Sequence, residues 1–113
     1  MTNARYGHIT GAQGLVLGLA GRVLQFGDET DSVPESMRLT IMRKSHRALC
    51  NMTGEDFGFD LAAWDAYLCK TAPINEDYTD PRAWSGVSKA VRRLIGDSDR
   101  LRLVSMLESE VNT

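Results

Sequence analysis

The sequence predicts an all-α protein, a compact bundle of about five helices with no sheet, in a single helical domain spanning residues 1–113. Apolar side chains recur every three or four residues in each predicted segment, and serine, threonine, aspartate, proline or glycine stands at the segment boundaries. No convincing strand remains. The length of 113 residues, with 42% hydrophobic and 25% charged residues, is typical of one globular domain.

The first helix is predicted to begin at a capping box formed by Thr10 and Gln13 and to end at Gly27. It is apolar on nearly every side, so we expect it to lie between other elements or in a subunit interface. Gly14 and Gly18 share one face, where the missing side chains allow another helix to approach closely. Because each glycine costs about 1 kcal/mol of helix propensity, we expect this face to be a packing face.

The second helix has the clearest start in the sequence. Ser32 is a typical N-cap residue, Pro34 suits the first turn, and Glu35 follows the cap by three residues. The helix is long and is predicted to end near Gly54. An apolar stripe runs along it, formed by Met37, Ile41, Ala48, Leu49 and Met52.

A short third helix follows, with Asp60 as its cap. Its aromatic side chains are expected to pack against another part of the protein. A polar connector covers residues 71–80.

The last two helices are predicted to form an antiparallel pair. Asp80 and Pro81 predict the start of the fourth helix, and Gly96 predicts its end. Either Asp97 or Asp99 caps the fifth helix, and so short a link implies a helical hairpin.

The composition narrows the class of partner. A net charge of −2 and a sequence pI near 5.6 provide no global attraction to nucleic acid or to anionic lipid. The apolar stretch 9–20 is too short to cross a bilayer, which takes about 20 residues, so we expect no membrane association. Cys50 and Cys69 are too few for a disulfide scaffold and fit reduced thiols in the cytoplasm.

No motif in the sequence indicates catalysis, cofactor binding or metal binding. His8 and His46 show no Cys, His or carboxylate at metal-binding spacing, and Cys50 and Cys69 stand beside apolar positions like small hydrophobic residues. The glycine-rich segment 11–18 lacks the dinucleotide fingerprint and a phosphate-binding lysine. We therefore expect no catalytic, cofactor-binding or metal site, and a protein that is not an enzyme.

The second helix also carries a basic run without an acidic residue. It is either a solvated helix face or a contact for phosphate or an acidic partner, and the overall charge favours the solvated face. The candidate polyanion contacts are Arg38, Arg43, Lys44 and Arg47.

Methionine and aromatic side chains are more numerous than a minimal five-helix core needs, and such residues are typical interface anchors. They are either all core or partly exposed. Because no catalytic or metal-binding motif was found, these side chains predict a non-enzymatic regulatory protein that binds and inhibits a protein partner. The predicted protein-binding residues are Leu15, Val16, Leu19, Val23, Met37 and Ile41. The alternatives are an immunity protein that neutralises a bacterial toxin, and a nucleic-acid-binding module that uses the basic run.

Residues 48–64 resemble the end of some bacterial HEAT-type helical repeat proteins, where a helix, a T-G-x-x-F-G-x-D turn and a tryptophan-bearing helix close the solenoid. The turn is Thr53 to Asp60 and the tryptophan is Trp64. No repeating unit occurs elsewhere, so the resemblance implies helical packing only.

As a whole, the chain resembles the QslA-like bacterial quorum-sensing anti-activators in its size, mild acidity, helical pattern and apolar first helix. This resemblance implies inhibition of a LasR-type transcription factor by blocking its dimerisation, and it implies that the chain is a homodimer.

Overall fold

The computed structural model describes residues 9–22 and 33–111 as six helices with connecting turns, and no strand occurs among them. The helices are α1 (Gly11–Leu19), α2 (Glu35–Thr53), α3 (Leu61–Lys70), α4 (Ile74–Tyr78), α5 (Pro81–Ile95) and α6 (Ser98–Val111). The predicted all-α class is confirmed. Six helices occur rather than about five, because the predicted polar connector 71–80 contains the short α4.

Helix α1 begins as predicted and ends early. The Gln13 backbone N–H donates to Thr10 Oγ1 at 3.3 Å, and the Thr10 N–H donates to Gln13 Oε1 at 3.0 Å, which completes the capping box. The helix stops at Leu19 because Gly21 has a φ of 87°, in the left-handed region that interrupts a helix. The predicted continuation through this point is wrong, and the predicted end at Gly27 lies outside the described residues.

Helix α2 is the longest described helix, and it ends as predicted. Its first residue is Glu35, which Pro34 precedes, whereas the predicted cap Ser32 lies outside the described residues. Gly54 takes a φ of 77° and terminates the helix in the left-handed conformation. The buried side of α2 is formed by Leu39, Met42, Ser45 and Leu49.

Aspartate caps start α3, α5 and α6. The Asp60 and Asp80 carboxylates each accept a hydrogen bond from a backbone N–H in the first turn of the helix that follows. Asp97 does the same for α6 at 2.9 Å, so Asp97 rather than Asp99 is the cap. Gly96 follows the last residue of α5, as predicted.

Helix α1 is central, because it packs against α2, α3, α4 and α5. This placement confirms the expectation that a helix apolar on nearly every side lies between other elements. Its one buried polar side chain, Gln13, is satisfied: Nε2 donates to the carbonyl oxygens of Tyr78 at 2.9 Å and Asp80 at 3.2 Å. Trp64 of α3 and Tyr78 of α4 are fully buried in the same core.

The turn that resembles the end of HEAT-type repeats is explained by local packing. Gly58 has a φ of 61°, and its carbonyl accepts a hydrogen bond from Trp64 Nε1 at 2.9 Å. The Phe57 ring meets the Trp64 ring edge-on, with 4.8 Å between centroids. The glycine, the aromatic residue and the tryptophan of the motif therefore have structural roles.

Candidate functional site

Two of the predicted protein-binding residues lie in the core. Val16 and Leu19 are fully buried, because each side of the central helix α1 meets another helix. In this fold neither side chain presents surface to a partner, so the contact surface that the sequence analysis placed on them is not available. Val23, from the same predicted set, lies outside the described residues.

The accessible members of the predicted set lie on α1 and α2. Leu15 and Ile41 are half-buried, and 37% of the Met37 surface is exposed. Protein binding through these three residues stays a prediction.

Partly exposed apolar side chains continue along one side of α2. We define the apolar stripe as Met37, Ile41, Ala48 and Met52. Intervals of four and seven residues place these side chains on the same side of a helix. Met52 is 40% exposed at one end and Met37 is 37% exposed at the other, with Ile41 and Ala48 half-buried between them. Leu49, predicted in the same stripe, is instead fully buried.

Helix α1 packs against α2 along one edge of the apolar stripe. A methyl group added at Gly18 would lie 3.3 Å from Ile41 Cγ2 and would overlap Ser45 Oγ, so Gly18 allows the close approach that was predicted for it. Gly21, just after α1, lies close to the Arg38 guanidinium, so the chain meets earlier positions of α2 as it runs on and the two helices are antiparallel. The stripe therefore projects from a helix that is closely packed against α1.

Two of the candidate polyanion contacts are engaged in ion pairs with α6. Arg38 Nη1 lies 2.7 Å from Asp99 Oδ2, and the Arg43 guanidinium donates to both carboxylate oxygens of Glu110 at 2.8 Å. Hydrogen bonds from Arg38 and then from Arg102 lower the pKa of Asp99. These arginines thus have local structural partners.

Lys44, Arg47 and Arg43 are the exposed members of the basic run. Arg43 is paired with Glu110, whereas neither Lys44 nor Arg47 forms an ion pair with another described residue. Steps of 100° per residue place both on the solvent side of α2, next to the apolar stripe. Polyanion binding stays a prediction, and in the described fold it would depend mainly on these two cations.

His46, Cys50 and Asp56 form a cluster that sequence reasoning missed. We call it the His–Cys–Asp cluster. The His46 ring nitrogen, the Cys50 Sγ and an Asp56 carboxylate oxygen all lie within 4.8 Å of one another. His46 Nε2 is 2.7 Å from Asp56 Oδ1. The prediction that His46 has no Cys, His or carboxylate at metal-binding spacing is therefore wrong.

The cluster has its own electrostatics. The hydrogen bonds from His46 and from the Gly58 backbone N–H lower the pKa of Asp56. Burial, followed by the charge of Asp56, raises the pKa of the Cys50 thiol. The Phe59 ring lies 4.8 Å from the His46 ring and restricts its position.

An open groove of about 430 Å³ lies between the turn after α2 and the α5–α6 region. Its lining includes Phe57, Ile95, Leu101 and Val104. The buried Arg100 guanidinium, also in the lining, donates to the carbonyl oxygens of Leu94, Ile95 and Phe59 at 2.6, 2.8 and 3.2 Å. Because these bonds engage its guanidinium, Arg100 serves the structure of the turn rather than a ligand.

No family model, no curated protein and no solved structure matches the chain. The fold places the described residues in the class of small all-α proteins. None of the described helices has the length and apolar character needed to cross a bilayer.

Proposed function

We propose that this chain is a non-enzymatic regulatory protein that binds a protein partner through the apolar stripe of α2 and inhibits it. The observation that carries the proposal is the exposure of Met37 and Met52, at 37% and 40%, on the same side of one helix. Methionine side chains are flexible and polarizable, and they adapt to the shape of a partner. Exposed apolar side chains that line up in this way are typical of interaction surfaces.

The chemistry around the stripe supports one kind of partner surface. A stripe with helical spacing fits the apolar side of a partner helix. Lys44 and Arg47 lie along one side of the stripe, so acidic residues along one edge of the partner's apolar side complement them and guide its approach. The proposed partner surface is therefore an amphipathic helix with one acidic edge.

The resemblance to quorum-sensing anti-activators suggests the target class. In this proposal, the target is a LasR-type transcription factor in the cytoplasm, and the chain covers the surface through which that factor dimerises. The same resemblance suggests that the unbound chain is a homodimer. Inhibition is then competitive, because one surface of the target cannot bind two partners at once.

The experiment compares three tagged proteins, each used to retrieve partners from lysate of the source organism after nuclease treatment. They are the unmodified chain, the double variant Met37→Asp/Met52→Asp, and the control Met106→Asp. Met106 lies on α6 and is 37% exposed, so the control places one of the two charges at a site that is as exposed as Met37. Circular dichroism and thermal denaturation establish that each variant is folded.

We expect the double variant to retain at least about tenfold less of a specific protein partner than the unmodified chain, because two interface anchors would be replaced by charges. The control should retain the partner. Equal retention by all three proteins contradicts the proposal. A parallel retrieval omits the nuclease. If it recovers nucleic acid alone, and if that nucleic acid is lost when Lys44 and Arg47 are replaced by glutamine, the proposal is also contradicted and the basic face is the functional surface.

A further inference from the structure

The His–Cys–Asp cluster is the one group of three potential metal ligands among the described residues. It brings together an imidazole nitrogen, a thiol sulfur and a carboxylate oxygen. Zn²⁺ accepts these three donor types in proteins, whereas Ca²⁺ and Mg²⁺ take oxygen ligands. With the thiol deprotonated, Cys50 and Asp56 carry two negative charges, which balance the charge of a divalent cation. The donor set therefore favours zinc.

The geometry requires only small side-chain movements. Around tetrahedral Zn²⁺, with bonds of about 2.0–2.3 Å, neighbouring ligand atoms lie roughly 3.3–3.6 Å apart. The His46 Nε2 to Asp56 Oδ1 distance of 2.7 Å must widen slightly, and no separation in the cluster exceeds 4.8 Å. Side-chain rotations of this size leave the backbone unchanged.

The backbone brings the three ligands together. His46 and Cys50 stand one turn apart on the same side of α2. Gly54 ends the helix in the left-handed conformation, and the turn that follows directs Asp56 back towards that side. The Asp56 and His46 side chains are 66% and 26% exposed, so an ion can reach the cluster from solvent.

We propose that His46, Cys50 and Asp56 bind one Zn²⁺ ion and leave its fourth coordination position to an exchangeable water. On binding, His46 Nε2, Cys50 Sγ and an Asp56 carboxylate oxygen form bonds to the ion. The thiol proton passes to solvent, and the proton on His46 Nε2 is lost to solvent while the neutral ring keeps its proton on Nδ1. The ion then joins two side chains of α2 to one of the turn after it, in place of the contacts that His46 and Cys50 make with Asp56.

The test uses the purified full chain, freed of metal by a chelator and kept reduced by a phosphine. It is titrated with Co²⁺, which reports a thiolate ligand by a charge-transfer absorption band, and with Zn²⁺ in a calorimeter. Cys50→Ser removes the proposed ligand. Cys69→Ser is the matched control, because Cys69 is also a half-buried free thiol but lies on α3, outside the cluster.

We expect saturation at one ion per chain, with the thiolate band present in the unmodified protein and in Cys69→Ser and absent in Cys50→Ser. His46→Gln and Asp56→Asn should each weaken Zn²⁺ binding at least about tenfold. Zn²⁺ should also slow alkylation of Cys50 but not of Cys69, which tests the proposal without any substitution.

Absence of the band in the unmodified chain, or its survival in Cys50→Ser, overturns the proposal. Binding that does not saturate at one ion per chain, or unchanged affinity in Asp56→Asn, overturns it as well. Since no partner is present in these titrations, their outcome is independent of the protein-binding function proposed above.

Discussion

The two sides of α2 are held in the fold by different physical means. On the side of α1, Gly18 allows the helices to approach so closely that an added methyl group would meet Ile41 and Ser45. On the side of α6, ion pairs add to the apolar side chains that both helices bury in the shared core. The ion pairs are Arg38–Asp99, Arg43–Glu110 and Glu35–Arg102, at 2.7, 2.8 and 2.8 Å.

This difference predicts that the stability contributed by the two sides responds differently to side-chain volume, salt and pH. Contacts between close-packed surfaces depend on shape, so they tolerate changes of salt and pH but not of side-chain volume. Ion pairs between partly exposed side chains depend on charge, contribute little each, and are screened by salt. Substitutions on the α1 side should therefore change stability most.

The largest effect is expected for Gly18→Leu. The new side chain would collide with Ile41 and Ser45, and we expect the free energy of unfolding to fall by about 2 kcal/mol, even though leucine favours helix formation. Gly11→Leu is the matched control in the same helix, because nothing lies within 4 Å of that position, and its effect should stay within about 0.5 kcal/mol. Urea denaturation measures both, and equal effects would contradict the close contact.

A smaller effect is expected for Asp99→Asn, which removes the charge that pairs with Arg38 and Arg102. Asp99 is about half exposed, so solvent screening limits the loss at neutral pH to about 1 kcal/mol or less. Thermal denaturation at low and high salt measures this loss, which should shrink as salt rises.

The contribution of Asp99 should also depend on pH in a defined direction. Its pKa is lowered in the folded protein by the hydrogen bonds from Arg38 and Arg102. Its stabilising contribution is therefore complete above the unfolded pKa of about 3.9 and is lost as the pH falls through the folded pKa. The stability difference between the unmodified chain and Asp99→Asn should disappear in acid. A difference that grows in acid would contradict this assignment.

The smallest effect is expected for the Arg43–Glu110 pair, whose side chains are 43% and 51% exposed. A double-mutant cycle with Arg43→Gln and Glu110→Gln should give a coupling energy of about 0.3–0.5 kcal/mol that decreases with salt. A coupling that salt leaves unchanged would show that the pair is less screened than its exposure indicates.

The helix starts were largely predictable because caps are local features. Thr10, Asp60 and Asp80 each bond to backbone a few residues away, so the residue type and its spacing predict the contact. The end of α1 at Leu19, before Gly21, was missed, since apolar residues continue beyond it and hid the break. Helix α4 was missed because five residues are too few to show a helical period.

The candidate sites were less predictable, because they depend on how helices pack. The predicted stripe on α2 included Leu49 together with Met37, but packing directs Leu49 into the core and leaves Met37 partly exposed. The spacing of His46 and Cys50 was visible in the sequence. The approach of Asp56 was not, since it requires the conformation of the turn after α2.

The central claim is that the apolar stripe of α2 is the surface that meets a protein partner. The most direct test places a photo-cross-linking residue at Thr40, which is exposed on α2 near the stripe, and separately at Ser105, which is exposed on α6. Both proteins are irradiated inside cells of the source organism. We predict a cross-linked adduct with a different protein from position 40 and none from position 105. An adduct from position 105 alone, or an adduct from position 40 that contains only a second copy of this chain, would contradict the claim.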